Sequence, residues 1–234
     1  MREWLDHERW DLLVCSRALS SQWVYAPVAP FASAPAAQAV PFALAPVLDD
    51  LRLQFEQFAA DADAFVNTLD DQQFHWRPRS DAWSIGECLE HLNVTARVVL
   101  PRIDDAIADA IGRGVRGDRP FVPSWLDRLA LRTTEPPSRW PMWSPAALRP
   151  APWVPRERVM PQLREYQEQF IDRLRQANGI DLGRARVTSI ASRWVRFSLG
   201  TGFALIAAHE RRHLWQALSV SSTPAFPGAP AVGS

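Results

Sequence analysis

The sequence predicts an all-α fold: a four-helix bundle that carries a long Pro/Trp-rich loop and an irregular N-terminal arm. Three observations support this prediction. Four long segments place apolar residues three and four positions apart, which is the spacing of one helix face. No convincing set of strands is present. Apolar residues make up 47% of the 234 residues, which is enough for a core. Four amphipathic helices bury their apolar faces against one another in a bundle.

Two of the four helices are predicted in the first half of the chain. The first covers about residues 47–69, with apolar side chains repeating at helical spacing. The second begins after Ser84, because Ser84 and Glu87 form a capping-box pattern in which each side chain accepts a backbone N–H of the first turn. Gly112 and Gly114 mark its end, since glycine is the commonest residue after a last helical turn.

The other two helices are predicted in the second half. The third begins near Pro155 and ends at Asn178-Gly179, and the fourth covers residues 198–220. A Pro/Trp-rich loop of residues 113–156 precedes the third helix, and its stretch "PSWLDRLALRT" predicts a short helix. A connection of this length usually covers something. For residues 180–197 the sequence predicts irregular chain with one extended segment.

Composition divides the chain into three parts. Residues 1–46 form an Ala/Pro-rich arm that we expect to be loosely ordered, although its first 20 residues have the pattern of a short amphipathic helix. Residues 47–220 form the bundle. Residues 221–234 form a Pro/Gly/Ala-rich tail that we expect to be flexible.

Charge and cysteine content exclude several classes of function. The 26 basic and 26 acidic residues balance, so we expect no nucleic-acid partner and no membrane-surface binding. Every basic residue is Arg, which excludes a lysine Schiff base and a P-loop lysine. Two cysteines cannot form a disulfide framework. No apolar run reaches the roughly 18 residues of a membrane span. The N-terminus lacks a signal-peptide layout, and we expect a cytoplasmic protein.

The stretch "AAHERRHLWQA" contains the pattern His209-Glu210-x-x-His213, which zinc proteases share. In those enzymes the Glu is the general base, and a third ligand follows downstream. No His, Asp, Glu or Cys follows His213 here, so a third ligand must come from upstream. The best upstream candidate is His91, whose apolar neighbours place it inward or at the edge of the core.

Three histidines from two helices can converge on one ion inside a bundle, but less specific interpretations stay open. A single His on an apolar face is usually a boundary residue, and an i, i+4 His pair on an Arg-rich face can be accidental. The Arg211-Arg212 pair is expected on a solvated face, and Cys88 is expected to be a small buried hydrophobe. Gln216 lies on the same helix face as the His pair and is a candidate for orienting a ligand or a substrate.

Two motifs resemble those of the DinB-like superfamily. "WSIGECLEHLNVT" resembles its second-helix motif, and "AAHERRHLWQA" resembles its last-helix motif. The resemblance covers about residues 47–220 and implies a DinB/YfiT-like bundle with a three-histidine metal site at His91, His209 and His213. It implies zinc, nickel or another divalent ion as cofactor, with zinc or nickel favoured. Some members are transferases or isomerases that use a low-molecular-weight thiol, and the family name implies no DNA binding.

The sequence therefore leads to a metal-dependent enzyme, a transferase, isomerase or hydrolase, acting on a small-molecule substrate. Glu210 and Gln216 are its candidate catalytic residues, and a low-molecular-weight thiol is an optional co-substrate. The alternative is a non-catalytic helical bundle that binds a metal or a small molecule, with a homodimer as one option. A zinc protease is the least favoured function, because it requires a sheet edge beside the His-Glu helix to align a peptide.

Overall fold

The computed structural model describes residues 44–117, 119–137, 145–192 and 194–228. Nearly all of the predicted N-terminal arm, and the last six residues of the predicted tail, lie outside the described residues. The four long helices are confirmed, and with them the all-α class. Their bounds are α1 Pro46–Val66, α3 Ile85–Gly112, α5 Arg156–Gln176 and α6 Leu199–Ser221.

Contacts along the helices give their relative directions. Helix α1 is antiparallel to α5, because Asp63 near its end pairs with Arg164 near the start of α5. Helix α3 is parallel to α5: near the starts of both, Asn93 donates to the carbonyl of Val159, and near their ends Arg173 pairs with an aspartate of α3. His91, in the second turn of α3, meets the middle of α6. The start of α6 lies near the end of α3, because the N–H of Asp181 donates to the Val115 carbonyl and the neighbouring Leu182 carbonyl accepts the N–H of Gly200. The bundle therefore runs up, down, down, up, and its first and last helices are parallel.

Two clusters of buried side chains fill the bundle. The larger one lies around the stacked rings of Phe55 and Phe170, whose centroids are 5.3 Å apart. The smaller one contains Leu89, Leu214 and Phe74. Rings and branched aliphatic side chains at these positions supply most of the apolar area that folding removes from water. The three histidines lie on the helices that build the smaller cluster.

Shorter elements connect the four helices. Helix α2 (Asp71–His75) follows α1, and α4 (Trp125–Thr134) lies in the long loop, where the sequence predicts a short helix. A single 3-10 turn, Ala146–Leu148, precedes α5. Strands β1 (Arg186–Thr188) and β2 (Arg196–Ser198) pair antiparallel, and β2 leads directly into α6.

Helix α2 is not predicted by the sequence analysis, which assigns no helix between residue 69 and Ser84. Asp70 and Gln73 form a capping box that starts it. Phe74 then packs against the first turn of α3, where a Cβ on Gly86 would lie 2.5 Å from the Phe74 ring. Glycine at position 86 thus allows α2 to pack directly on α3. Among the described helices, none is long and apolar enough to cross a membrane.

Candidate metal centre

A capping box and an ion pair hold the first turn of α3, which precedes His91. Ser84 accepts the N–H of Glu87, and the Glu87 carboxylate accepts the N–H of Ser84, so the predicted capping box is present. The same carboxylate pairs with Arg77, which ties the segment before α3 to its first turn. His91 lies one turn further along α3 and is buried.

The other two imidazoles come from α6. His209 and His213 lie four residues apart and therefore project from the same face of the helix. This face packs against α3, since the His91 ring centroid lies 5.1 Å from that of His209 and 4.5 Å from that of His213. The structure thus brings together the three histidines that the sequence analysis named.

The ring nitrogens meet at one point. The Nε2 atom of His209 lies 3.3 Å from Nε2 of His91 and 3.1 Å from Nε2 of His213. For zinc bound tetrahedrally with Zn–N of 2.0–2.1 Å, neighbouring ligand nitrogens are about 3.3 Å apart. The three-histidine group could therefore hold a metal ion, and within the described ranges it is the one group of three or more metal-ligating side chains.

Hydrogen bonds on the far side of two rings define their tautomers. Nδ1 of His91 donates to the carbonyl oxygen of Leu148 at 2.7 Å. Nδ1 of His213 donates to Oε1 of Gln216 at 3.0 Å. Each ring carries its proton on Nδ1, so Nε2 keeps a lone pair that points into the group. Metal-bound histidines are usually supported in this way, because the second hydrogen bond fixes the ring and raises its basicity.

A shared cation satisfies these three ring nitrogens better than hydrogen bonds among them do. Nε2 of His209 can carry one proton, which can bond to His91 or to His213 but not to both. The remaining contact then sets two lone pairs about 3 Å apart, without a hydrogen bond. A divalent ion accepts all three lone pairs at once, and neutral imidazole is the commonest metal ligand in proteins.

Electrostatics keep the imidazoles neutral, as metal ligation requires. Burial is the main cause that lowers the pKa of all three rings. The pKa of His209 falls to about 3, because burial acts together with the charges of His91 and Arg212. The pKa of His213 lies well below its ordinary value for the same reasons, with the charge of His209 added.

Two side chains around the centre were not identified from the sequence. The Trp83 ring lies 5.0 Å from the His91 ring and 5.9 Å from the His213 ring, so it forms an aromatic wall against two of the imidazoles. Arg212 was expected on a solvated face and is instead buried, with its guanidinium donating to the carbonyl of Thr133. Arg211 also differs from that expectation, since it pairs with Glu135 at the end of α4.

Glu210 points away from the three imidazoles. Its side chain is buried and accepts a hydrogen bond of 2.8 Å from Nε2 of Gln167 on α5. Burial raises the pKa of Glu210 to about 8, although the hydrogen bond from Gln167 and the charge of Arg211 both lower it. A general base of a protease must instead face the water that the metal binds.

Of the predicted site residues, the structure gathers His91, His209, His213 and Gln216, and it places Glu210 against α5. Cys88 lies in the smaller core cluster, as a buried hydrophobe would. The Leu148 carbonyl was missed because a backbone acceptor leaves no mark on residue identity. The pairing of Trp83 with the imidazoles could be suspected only from its position one residue before the cap of α3.

Fold and site together define a helical bundle in which facing helices build a three-histidine group that could hold a metal ion. The family model of the DinB superfamily matches residues 54–217, which is well over half of the chain. The chain therefore belongs to the DinB superfamily. No curated protein and no solved structure matches it.

Proposed function

We propose that this chain is a divalent-metal-dependent enzyme that acts on a small molecule through the His91, His209 and His213 centre. One observation carries the proposal. Three Nε2 atoms converge, and no fourth His, Cys, Asp or Glu joins them in the part of the chain that the structure describes. Catalytic zinc sites have three protein ligands and one position for water or substrate, whereas structural zinc sites have four protein ligands.

The bound ion would supply Lewis acidity and would lower the pKa of a water or thiol bound to it. The chain's own residues hold and shield this chemistry. The carbonyl of Leu148 and the amide of Gln216 orient two of the imidazoles. Trp83 lies against two of the imidazoles and forms an aromatic wall on that side. We extend the proposal to a low-molecular-weight thiol as co-substrate, because zinc and nickel accept thiolate ligands.

Metal content tests the first part of the proposal. Protein stripped with EDTA and reloaded with zinc or nickel is expected to bind one ion per chain, measured by inductively coupled plasma mass spectrometry after gel filtration. His91→Ala, His209→Ala and His213→Ala should each lose most of that metal. His75→Ala is the matched control, because the His75 ring nitrogens face the carbonyls of Asp71 and Val154 and His75 is not one of the three clustered histidines. Unchanged metal content in all three site variants would exclude the site.

Turnover tests the second part. Metal-loaded protein is screened with several thiols against a model electrophile such as 1-chloro-2,4-dinitrobenzene. The expected rate depends on both thiol and metal, and it is abolished by chelator and by His213→Ala. A protein that binds one ion per chain but gives no turnover with any thiol or with water would support a non-catalytic binding bundle. The deep burial of His91 and His213 is the observation that favours this alternative.

The protease interpretation lacks support at the position that it needs most. Glu210 would have to act as general base, yet its carboxyl is buried against Gln167. The described strands are three residues each and pair with one another ahead of α6. Chelator-sensitive digestion of casein would restore this interpretation.

A further inference from the structure

Helix α4 presents an apolar face to solvent. Val122, Trp125, Leu126 and Leu129 follow one another at spacings of three, one and three residues, and their exposed fractions lie between 53% and 70%. We call these four residues the α4 face. Together they expose an apolar area on the order of 500 Å², about the size of the largest apolar patch on a typical monomer, and such patches are often functional.

The α4 face is not the surface that holds α4 on the bundle. Phe121, four residues before α4, and Thr134, the last residue of α4, are buried. The ring of Phe121 lies over Gly200, where a Cβ would come within 2.8 Å of it. Leu131 packs against the larger core cluster. Helix α4 is thus attached on one side while its most apolar residues point outward, the reverse of an ordinary surface helix.

The first described residues lie at the end of the bundle where α4 begins. The N–H of Ala45 donates to Oδ1 of Asn178, just beyond the end of α5. Four residues after Asn178, the carbonyl of Leu182 accepts the N–H of Gly200. Gly200 is the residue that the Phe121 ring covers. Leu44 therefore lies at the same end of the bundle as Phe121, which precedes α4 by four residues.

We propose that the α4 face is the docking surface for residues 1–20 of the same chain. These residues include Trp4, Leu5, Trp10, Leu12 and Leu13, an apolar set that resembles the α4 face in composition. The 23 residues that connect them to Leu44 can span at most roughly 80 Å. Helix α4 is about 15 Å long, so the connection reaches every part of the face.

The charges beside the α4 face favour residues 1–20 over a second copy of the chain as its occupant. Exposed Arg128 and Arg132 flank the α4 face. The docking segment carries four acidic residues, Glu3, Asp6, Glu8 and Asp11, against three arginines, Arg2, Arg9 and Arg17, so its side chains carry a net charge of −1. A second α4 placed against the first would set the two arginines of each copy near their counterparts, and like charges at an interface are unfavourable. The tether also raises the local concentration of residues 1–20 to the millimolar range.

Thiol protection tests the proposal in the full-length chain. Leu129→Cys is made in a Cys15→Ser background, where the remaining native thiol, Cys88, is buried. Labelling by N-ethylmaleimide is expected to be about tenfold slower than for the control Ala108→Cys, at an exposed position of α3. Adding Trp4→Glu and Trp10→Glu should bring both rates together. Equal rates in the parent, or protection that ignores the tryptophan changes, would overturn the proposal.

The identity of the occupant is tested separately. Leu126→p-benzoylphenylalanine is irradiated in the full-length chain, and the adduct is mapped after trypsin digestion. An adduct within one chain to a peptide of residues 1–20 is the expected result. An adduct to a second chain, together with thiol protection that disappears on dilution, identifies a dimer and refutes docking in cis. Absence of any adduct to residues 1–20 refutes it as well.

Discussion

Gln216 is expected to tighten metal binding without being a ligand. Its Oε1 accepts the Nδ1 proton of His213 at 3.0 Å, which holds the ring with Nε2 toward His209. In Gln216→Ala this hydrogen bond is lost. Losing such a support usually weakens metal binding by about 10-fold to 100-fold.

Packing around His213 places the expected loss at the lower end of that range. The ring is also held by His91, at 4.5 Å between centroids, and by Trp83 at 5.9 Å. It cannot turn freely when Gln216 is shortened. We therefore expect zinc affinity to fall about tenfold, which corresponds to about 1.4 kcal/mol. Gln216→Glu should bind zinc at least as tightly as the parent, because a carboxylate is a stronger acceptor for the Nδ1 proton.

Competition with a chromophoric chelator measures these affinities. Ser219→Ala is the matched control: Ser219 lies one turn beyond Trp215 on α6, and its hydroxyl bonds only to the Trp215 carbonyl. Melting of the metal-free variants separates a loss of affinity from a loss of fold. If Gln216→Ala binds zinc within about twofold of the parent, or Ser219→Ala loses as much, the orienting role is wrong.

Two further predictions concern stability and reactivity. Gly86→Ala should lower the free energy of unfolding by about 1–3 kcal/mol, because the added Cβ would lie 2.5 Å from the Phe74 ring. Gly112→Ala is the control: a Cβ there has nothing within 4 Å, so the free energy of unfolding should rise by up to about 1 kcal/mol. An equal melting temperature for both variants in a thermal denaturation scan would contradict the close packing of α2 on α3. In a Cys15→Ser background, Cys88 should resist maleimide from about pH 7 to about pH 9, since burial, with a smaller contribution from Glu87, raises the pKa of its thiol and the thiolate is the reactive form. An exposed thiol gains reactivity across the same range as it ionises, so Cys88 labelling that rises in parallel with that of a free-cysteine control, followed by mass spectrometry, would show that the thiol is not buried.

The four long helices could be predicted because their information is local. Apolar spacing and the Ser84–Glu87 capping box act within a few residues, and both are readable in the sequence. Helix α2 was missed because five residues are too few to show a helical period. Its existence depends on Phe74 reaching the first turn of α3, which is a contact between remote parts of the chain.

Some parts of the candidate site could be predicted from the sequence, and others could not. The spacing of His209 and His213 places both on one helix face in any context. Recognising His91 required the inward position and the family resemblance together. The burial of Arg212, the partner of Glu210 and the wall formed by Trp83 depend on how α4, α5 and the segment before α3 pack against the centre. Such contacts are decided by tertiary packing and have no signature in local sequence.

The bond from His91 to the Leu148 backbone has a consequence for how this protein can vary. Every amino acid carries a main-chain oxygen, so replacement of the side chain at position 148 leaves the acceptor chemically intact. The acceptor itself therefore does not restrict which residue stands at position 148, although the Leu148 side chain is buried. A change in the length of the segment between α4 and α5 would instead pull the oxygen away from the imidazole. Relatives that keep this support should be recognised by the spacing of the connection rather than by any shared residue within it.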